Sequence, residues 1–203
     1  MFTPKKILLP LHERLVAMGL TEATDIQAQA FPILKSGSDV WINAPEKSGK
    51  TTLSAMFVLH KLKVELEEED VPRAIVIVPT KERVLEYKEL LETMGKFAHL
   101  RIKCAYSEED LERQRNEVYA GSDVVVGTAK RLGELYSGTG LNIRLVNTII
   151  IDDFDKINKQ DALAQIERLL TANPKIQKVY LTTTQPSIIR KIIEKVSLSL
   201  REI

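Results

Sequence analysis

Short apolar runs rich in valine and isoleucine alternate with helix-patterned segments along most of this chain, and that alternation limits the fold more than any single motif. The runs lie at residues 40–44, 74–78, 102–105, 123–126, 148–151 and 179–181. Between and after them, helical spacing of apolar residues marks 51 to about 66, 82–94, 108–119, 130–135, 162–170 and 187–196. Unbroken Val/Ile runs between helices predict strands covered on both faces, hence an α/β fold with a mainly parallel sheet. Upstream, residues 11–18 have helical spacing and Gly19 is placed as a stop. Thr24-Asp25 then reads as the cap of a helix over 26–34.

Composition narrows the function classes. The chain has 203 residues and a hydrophobic fraction of 44%. That is enough for one well-filled core, so residues 1–203 read as a single domain. Lysine plus arginine (29) nearly balances aspartate plus glutamate (28), which excludes a strongly basic nucleic-acid binder but leaves room for a local basic groove. The single cysteine, Cys104, rules out an intramolecular disulfide and suits a reducing, cytoplasmic setting. No apolar run approaches the roughly 18 residues of a membrane span, so no membrane partner is expected. His12, His60 and His99 are scattered and lack metal-ligand spacing.

The chemistry-bearing stretch is residues 40–52, Val-Trp-Ile-Asn-Ala-Pro-Glu-Lys-Ser-Gly-Lys-Thr-Thr. A strand, a loop and a helix start in that order form a phosphate-binding loop, where backbone N–H groups and the helix dipole meet anionic oxygens. Lys50 would reach the β/γ-phosphates and the Thr51 hydroxyl would ligate Mg²⁺. The usual pattern opens on glycine, and that place is Ala44; Lys47 stands inside the loop. If position 47 needs a positive φ, lysine there costs roughly 1–2 kcal/mol relative to glycine.

Ligands of open parallel sheets bind at the carboxyl ends of the strands, and polar clusters follow four of these runs directly. They are Pro79-Thr80-Lys81-Glu82, Thr128-Ala129-Lys130-Arg131, Asp152-Asp153-Phe154-Asp155 and Thr182-Thr183-Thr184. An aspartate ending the Ile149-Ile150-Ile151 strand is a Walker B arrangement, in which Asp152 holds Mg²⁺ through its water shell and Asp153 acts on the attacking water.

Taken in order, the clusters resemble the first RecA-like domain of DEAD-box RNA helicases over essentially the whole chain. Gly19 to Gln27 is similar to the family's adenine-reading Q motif, with Ala23 and Asp25 where the family has prolines. Phe2 lies near its isolated upstream aromatic. Ala44 to Thr51 resembles the Walker A loop, with Lys47 for its first glycine. Residues 79–82 resemble Pro-Thr-Arg-Glu, and the family's glycine pair falls near Ser107-Glu108 and is lost. Gly121 and residues 123–131 look like the segment ending in Thr-Pro-Gly-Arg. Residues 152–155 stand for Asp-Glu-Ala-Asp, and 182–184 for Ser-Ala-Thr.

The resemblance implies a P-loop NTPase of RecA-like three-layer form, with a Q-motif-like segment at 1–35, a core at 36–203 and no second RecA-like domain. It implies ATP and Mg²⁺ as cofactors. Phe2, Gln27, Ala44, Lys47, Ser48, Gly49, Lys50, Thr51 and Thr52 would bind nucleotide, with Thr51 and Asp152 on the metal. Lys50, Asp152 and Asp153 would be catalytic. RNA backbone would be met by Thr80, Lys81, Thr128, Lys130 and Arg131, with Thr182 and Thr184 coupling the two sites. Asp153 is one methylene shorter than the family's glutamate, and a misplacement of about 1 Å costs on the order of 10²-fold in rate. An arginine finger from a second domain is worth ~10³–10⁵. The expectation is therefore weak or partner-dependent hydrolysis, with a second RecA-like domain or a protein partner in trans, and no unwinding by this chain alone. A catalytically inactive pseudo-helicase scaffold is the alternative. An unrelated P-loop kinase or small-molecule ATPase would leave the Gln27 segment without a role.

Overall fold

The computed structural model describes residues 7–63 and 70–203. Helices α1 (Leu9–Ala17) and α2 (Asp25–Lys35) lead into β1 (Asp39–Asn43) and α3 (Lys50–Leu62). Then follow β2 (Ala74–Val78), α4 (Lys81–Met94), β3 (Ile102–Ala105), α5 (Leu111–Tyr119), β4 (Val124–Thr128) and α6 (Ala129–Ser137). The chain continues through β5 (Thr148–Ile151), a 3₁₀ turn (Phe154–Lys156), α7 (Gln160–Thr171), β6 (Gln177–Thr182), α8 (Ser187–Val196) and β7 (Leu200–Glu202). The strands form one seven-stranded sheet in the order β3-β4-β2-β5-β6-β1-β7, and every pairing is parallel.

Strand pleating distributes the apolar side chains to two cores. Val40, Ile42, Val76, Val78, Ile150, Val179 and Leu181 pack with Leu11, Phe31, Leu53, Met56 and Leu91 of α1–α4. Their strand neighbours Trp41, Ile75, Ile77, Ile149, Ile151 and Tyr180 pack with residues of α6–α8 such as Leu132, Ile166 and Ile193. Alternate residues on each strand point to opposite faces, so sequences apolar at every position bury both sides. The result is the predicted three-layer α/β arrangement.

The strands at 74–78, 102–105 and 148–151 and the helix at 187–196 have the expected bounds. Elsewhere the differences are local. The helix expected to reach about residue 66 ends at Leu62, and 64–69 lie outside the described residues. The segment expected to be helical from 108 starts at Leu111, because the Asp110 side chain caps the Arg113 N–H at 2.8 Å. Strand β7 was not anticipated. It pairs with β1 through Asp39–Leu200, Val40–Arg201 and Trp41–Glu202. No helix among the described residues is long and apolar enough to cross a membrane.

Candidate nucleotide cleft and nucleic-acid groove

The order of the strands brings the carboxyl ends of β1, β6, β5 and β2 together, and the loop from Ala44 to Gly49 closes over them. Ala44 N–H donates to the Thr182 carbonyl at 3.1 Å, and Asp152 N–H donates to the Ile77 carbonyl at 2.9 Å. A cleft of about 420 Å³ opens there, lined by residues of the loop, by Lys50 and Thr51, and by Arg83, Asp153, Lys156 and Thr183. Inside the loop, Lys47 has φ 60° and Gly49 φ 94°. Position 47 thus takes the left-handed conformation that glycine adopts without steric cost.

The segment before β1 fastens this loop. Thr24 caps α2 in a capping box with Gln27. The Thr24 hydroxyl also donates to the Ser48 carbonyl at 2.8 Å, and Gln27 Nε2 donates to the Gly49 carbonyl at 3.2 Å. Gln27, expected to read adenine, is buried and spends its amide on the loop and on the Thr24 N–H. Phe2 lies outside the described residues.

Lys50 folds back onto the loop, donating to the Ala44 carbonyl and, at 2.8 Å, to the Pro45 carbonyl. Burial pulls its pKa down, against the opposing charges of Asp152, Asp153 and Asp155. Behind it the Thr51 hydroxyl donates to Asp152 Oδ2 at 2.7 Å. Burial also pushes the Asp152 carboxyl up, opposed by that hydroxyl and reinforced by the neighbouring Asp153 charge. A hydroxyl and a carboxylate in contact are hard-oxygen donors of the kind Mg²⁺ takes, usually together with ligand phosphates and waters. Among the described residues no three His, Cys, Asp or Glu side chains form a metal cage by themselves.

Two cations already contact these acids. Arg83 Nη2 donates to Thr51 Oγ1 and Asp152 Oδ2, each at 3.3 Å, and lies 3.3 Å from Asp153 Oδ2. Lys156 Nζ bridges Glu46 at 3.1 Å and Asp153 at 3.3 Å. Asp153 itself sits at φ 53°. The next acid along, Asp155, uses Oδ2 to accept from Thr183 N–H, Thr184 N–H and Thr184 Oγ1. Thr182 is buried, accepting from Trp41 Nε1 at 2.9 Å and donating to Asn43 Oδ1 at 3.0 Å.

A second depression of about 500 Å³ lies at the carboxyl ends of β2 and β4, lined in part by Thr80, Lys81, Ser107, Glu108, Thr128 and Lys130. Thr80 caps α4, and Lys81 Nζ lies 5.0 Å from the centre of the Tyr106 ring. Lys130 is exposed and, among the described residues, pairs with Glu134 at 3.9 Å.

The family model for DEAD/DEAH box helicases matches residues 24–192. The chain belongs to the DEAD/DEAH box helicase family. It is 31% identical over 186 residues to the DEAD-box ATP-dependent RNA helicase CshA of Bacillus cereus, covering 91% of this chain and 35% of that protein. To CshA of Streptococcus pneumoniae it is 30% identical over 175 residues, covering 86% and 33%. The chain therefore spans about a third of the length of the curated relatives it matches. Its fold matches that of a DEAD box protein from Methanococcus jannaschii with TM-score 0.88 at 22% identity, over 97% of this chain and 53% of that one. It matches the RNA helicase Prp28 of Chaetomium thermophilum, solved with ADP, with TM-score 0.88 at 22% identity, over 99% and 49%. The architecture is the N-terminal RecA-like domain of DEAD-box helicases.

Against the DEAD-box pattern, the structure uses Arg131 differently from the expected phosphate contact. Its guanidinium is buried, donating to Gln114 Oε1 at 3.1 Å and to the Ser107 and Glu109 carbonyls at 3.2 and 2.9 Å, so it pins the loop before α5 to α6. Glu46, Arg83 and Lys156 were not singled out from the sequence, and Asp155 and Thr183 were named only within their clusters, with no role of their own. Arg83 follows Pro79-Thr80-Lys81-Glu82 directly and stands in the first turn of α4. The only signal for it was that a side chain there, at the end of β2, neighbours the end of β5.

Proposed function

We propose that this DEAD-box domain binds ATP in the loop–Asp152 cleft and RNA backbone in the adjacent groove, with weak or partner-dependent hydrolysis. The reading is carried by one observation: Lys50, Thr51 and Asp152 converge at the mouth of a helix whose N-terminus faces the cleft. With nucleotide bound, Lys50 would exchange two carbonyl partners for phosphate oxygens, while Thr51 and Asp152, the residues placed to face Mg²⁺ in this family, already contact the Arg83 guanidinium. Thr80, Lys81, Thr128 and Lys130 offer hydroxyl and cationic donors to phosphates, which position a strand without reading its sequence. Relatives named as ATP-dependent RNA helicases support the same ligands. A second RecA-like domain acting with this one would supply the remaining donors. Titration calorimetry with ATP, with and without a single-stranded RNA, tests this. Binding that disappears in Lys50→Ala is expected, and no heat at millimolar nucleotide removes the reading.

A second reading, an inactive scaffold derived from a helicase, is favoured by Asp153. Its carboxylate is paired with both Arg83 and Lys156, which opposes its use on an attacking water. Under this reading Lys47→Gly with Asp153→Glu leaves ATPase near background; a large gain in turnover rejects it.

A further inference from the structure

We propose that Arg83 is a built-in counter-cation that takes the place of magnesium in this chain, so that the cleft accepts nucleotide phosphates without a divalent ion. The proposal rests on the nucleotide-binding reading above and concerns how the same site is charged.

The oxygens that would hold Mg²⁺ are already collected around one nitrogen. Arg83 Nη2 stands 3.3 Å from Thr51 Oγ1, Asp152 Oδ2 and Asp153 Oδ2. The guanidinium is not a loose surface group. Its other terminal nitrogen, Nη1, donates to Glu86 Oε2 at 2.8 Å one turn along α4. The first turn of that helix is itself fixed by the Thr80 cap. The arginine therefore reaches the acids from a rigid element. Burial alone would lower its pKa, but the Glu86 hydrogen bond and the Asp152 and Asp153 charges outweigh burial and raise it. An arginine cannot relieve crowding by losing its proton.

Charge in the cleft agrees with this role. Lys47, Lys50, Arg83 and Lys156 line it, against Glu46 and Asp153 on its wall, with Asp152 behind. Phosphate entering here meets cations before any metal arrives. A divalent ion, whether bound by these oxygens directly at about 2.0–2.1 Å or through its waters, has to enter beside the guanidinium. Two cations gathered on the same oxygens repel each other. Moreover, Lys156 holds the other carboxylate oxygen of Asp153 at 3.3 Å, so two cations already face the two carboxylates.

Two measurements on the full chain decide it. The first is ADP titration by calorimetry in Mg²⁺ and in EDTA, for wild type and Arg83→Leu. The second is Mn²⁺ uptake without nucleotide, followed by the paramagnetic resonance signal of free Mn²⁺. Wild type should hold ADP within about threefold under both conditions and take up no Mn²⁺ at sub-millimolar concentration. Arg83→Leu should gain an Mn²⁺ site and lose about tenfold or more in ADP affinity in EDTA, tenfold being 1.4 kcal/mol. Wild-type binding that falls tenfold in EDTA, Mn²⁺ uptake equal in the two proteins, or no uptake by Arg83→Leu each overturns the proposal. If neither protein binds ADP, the nucleotide reading fails, while the Mn²⁺ comparison still decides the role of Arg83. Should Arg83→Leu not fold, Glu86→Gln releases the anchor instead and should raise Mn²⁺ uptake.

Discussion

Thr184 is tied to Asp155 through a single carboxylate oxygen that accepts both its hydroxyl and its N–H at 2.9 Å, with the Thr183 N–H on the same oxygen at 3.1 Å. The contact joins the turn after β5 to the turn after β6, at the rim of the cleft. Asp155→Ala leaves three donors without their acceptor. Hydrogen bonds to charged groups are worth about 1.5–3 kcal/mol, and exposure of Thr184 places the loss at the lower end, about 2 kcal/mol. Urea unfolding measures it. A cycle with Thr184→Ala should leave a coupling of about 1 kcal/mol, and strict additivity would show the link to be without energetic weight.

Lys47 is the residue for which backbone geometry and side-chain chemistry disagree. At φ 60° its Cβ crowds the following carbonyl, a cost of roughly 1–2 kcal/mol that glycine escapes. Lys47→Ala keeps the strain and loses the cation, whereas Lys47→Gly loses both but gains entropy in the unfolded chain. Gly at 47 should therefore be more stable than Ala at 47 by about 1 kcal/mol. Equal stabilities by urea unfolding would mean that the loop relaxes around the substitution.

The sequence was most legible where burial and local period coincide. Ala74 to Val78 is apolar at every position because its alternate residues enter two separate cores, so its bounds could be read directly. Thr24-Asp25 announced a helix start, and Thr24 does cap α2, in a capping box completed by Gln27. What could not be read was set by strand order. Leu200-Arg201-Glu202 carries no apolar run, because an edge strand next to β1 needs only backbone partners. Arg83 and Lys156 carry no local pattern that marks them, since only the adjacency of β2 with β5 brings Arg83 to Asp152. Arg131 shows the same limit from the other side: its motif position suggests phosphate, while its side chain turns back under the loop before α5, where the buried Gln114 amide meets it. A helix start after a strand names the end of the sheet on which a residue lies. It does not name the direction of the side chain.

Asp123 anchors the far end of the sheet. Its buried carboxylate accepts Arg73 Nη2 at 2.7 Å on one oxygen, and the Arg101 Nε and N–H, each at 3.0 Å, on the other. Burial alone would raise this acid, but hydrogen bonds from Arg101 and Arg73 outweigh it and hold the pKa below the usual carboxylate range. A lowered folded-state pKa contributes stability that is present above the unfolded value near 4 and is lost as pH falls towards the folded one. Asp123→Asn removes that contribution and leaves Arg73 and Arg101 facing a neutral amide, at a cost of about 3–5 kcal/mol for a broken buried pair. Thermal melts should show the gap between the two proteins narrowing below about pH 4. A constant gap down to pH 2 would mean that the carboxylate charge is not what stabilises the pair.

Lys61 gives the opposite sign at the opposite end of the pH scale. The ammonium is half-buried at the end of α3, donating to the Asn147 carbonyl at 3.0 Å and Gln177 Oε1 at 2.8 Å, and among the described residues no carboxylate offsets its desolvation. Burial pulls its pKa down to about 8, whereas in the unfolded chain it titrates near 10.4. Between those values the unfolded state binds the extra proton, so stability rises with pH across that window, by at most about 1.4 kcal/mol per pH unit from this group. Below pH 8 the folded protein carries the charge as well, and the full penalty is present. Lys61→Met loses two hydrogen bonds, which shifts stability by a constant, and removes the pH-dependent part. Tyr87 and Tyr180, both raised by burial, titrate in each protein and cancel in the comparison. Urea midpoints measured at about pH 7.5, 9 and 10.5 should therefore climb in the wild type relative to Lys61→Met. Parallel curves would show that Asn147 and Gln177 solvate the ammonium as well as water does.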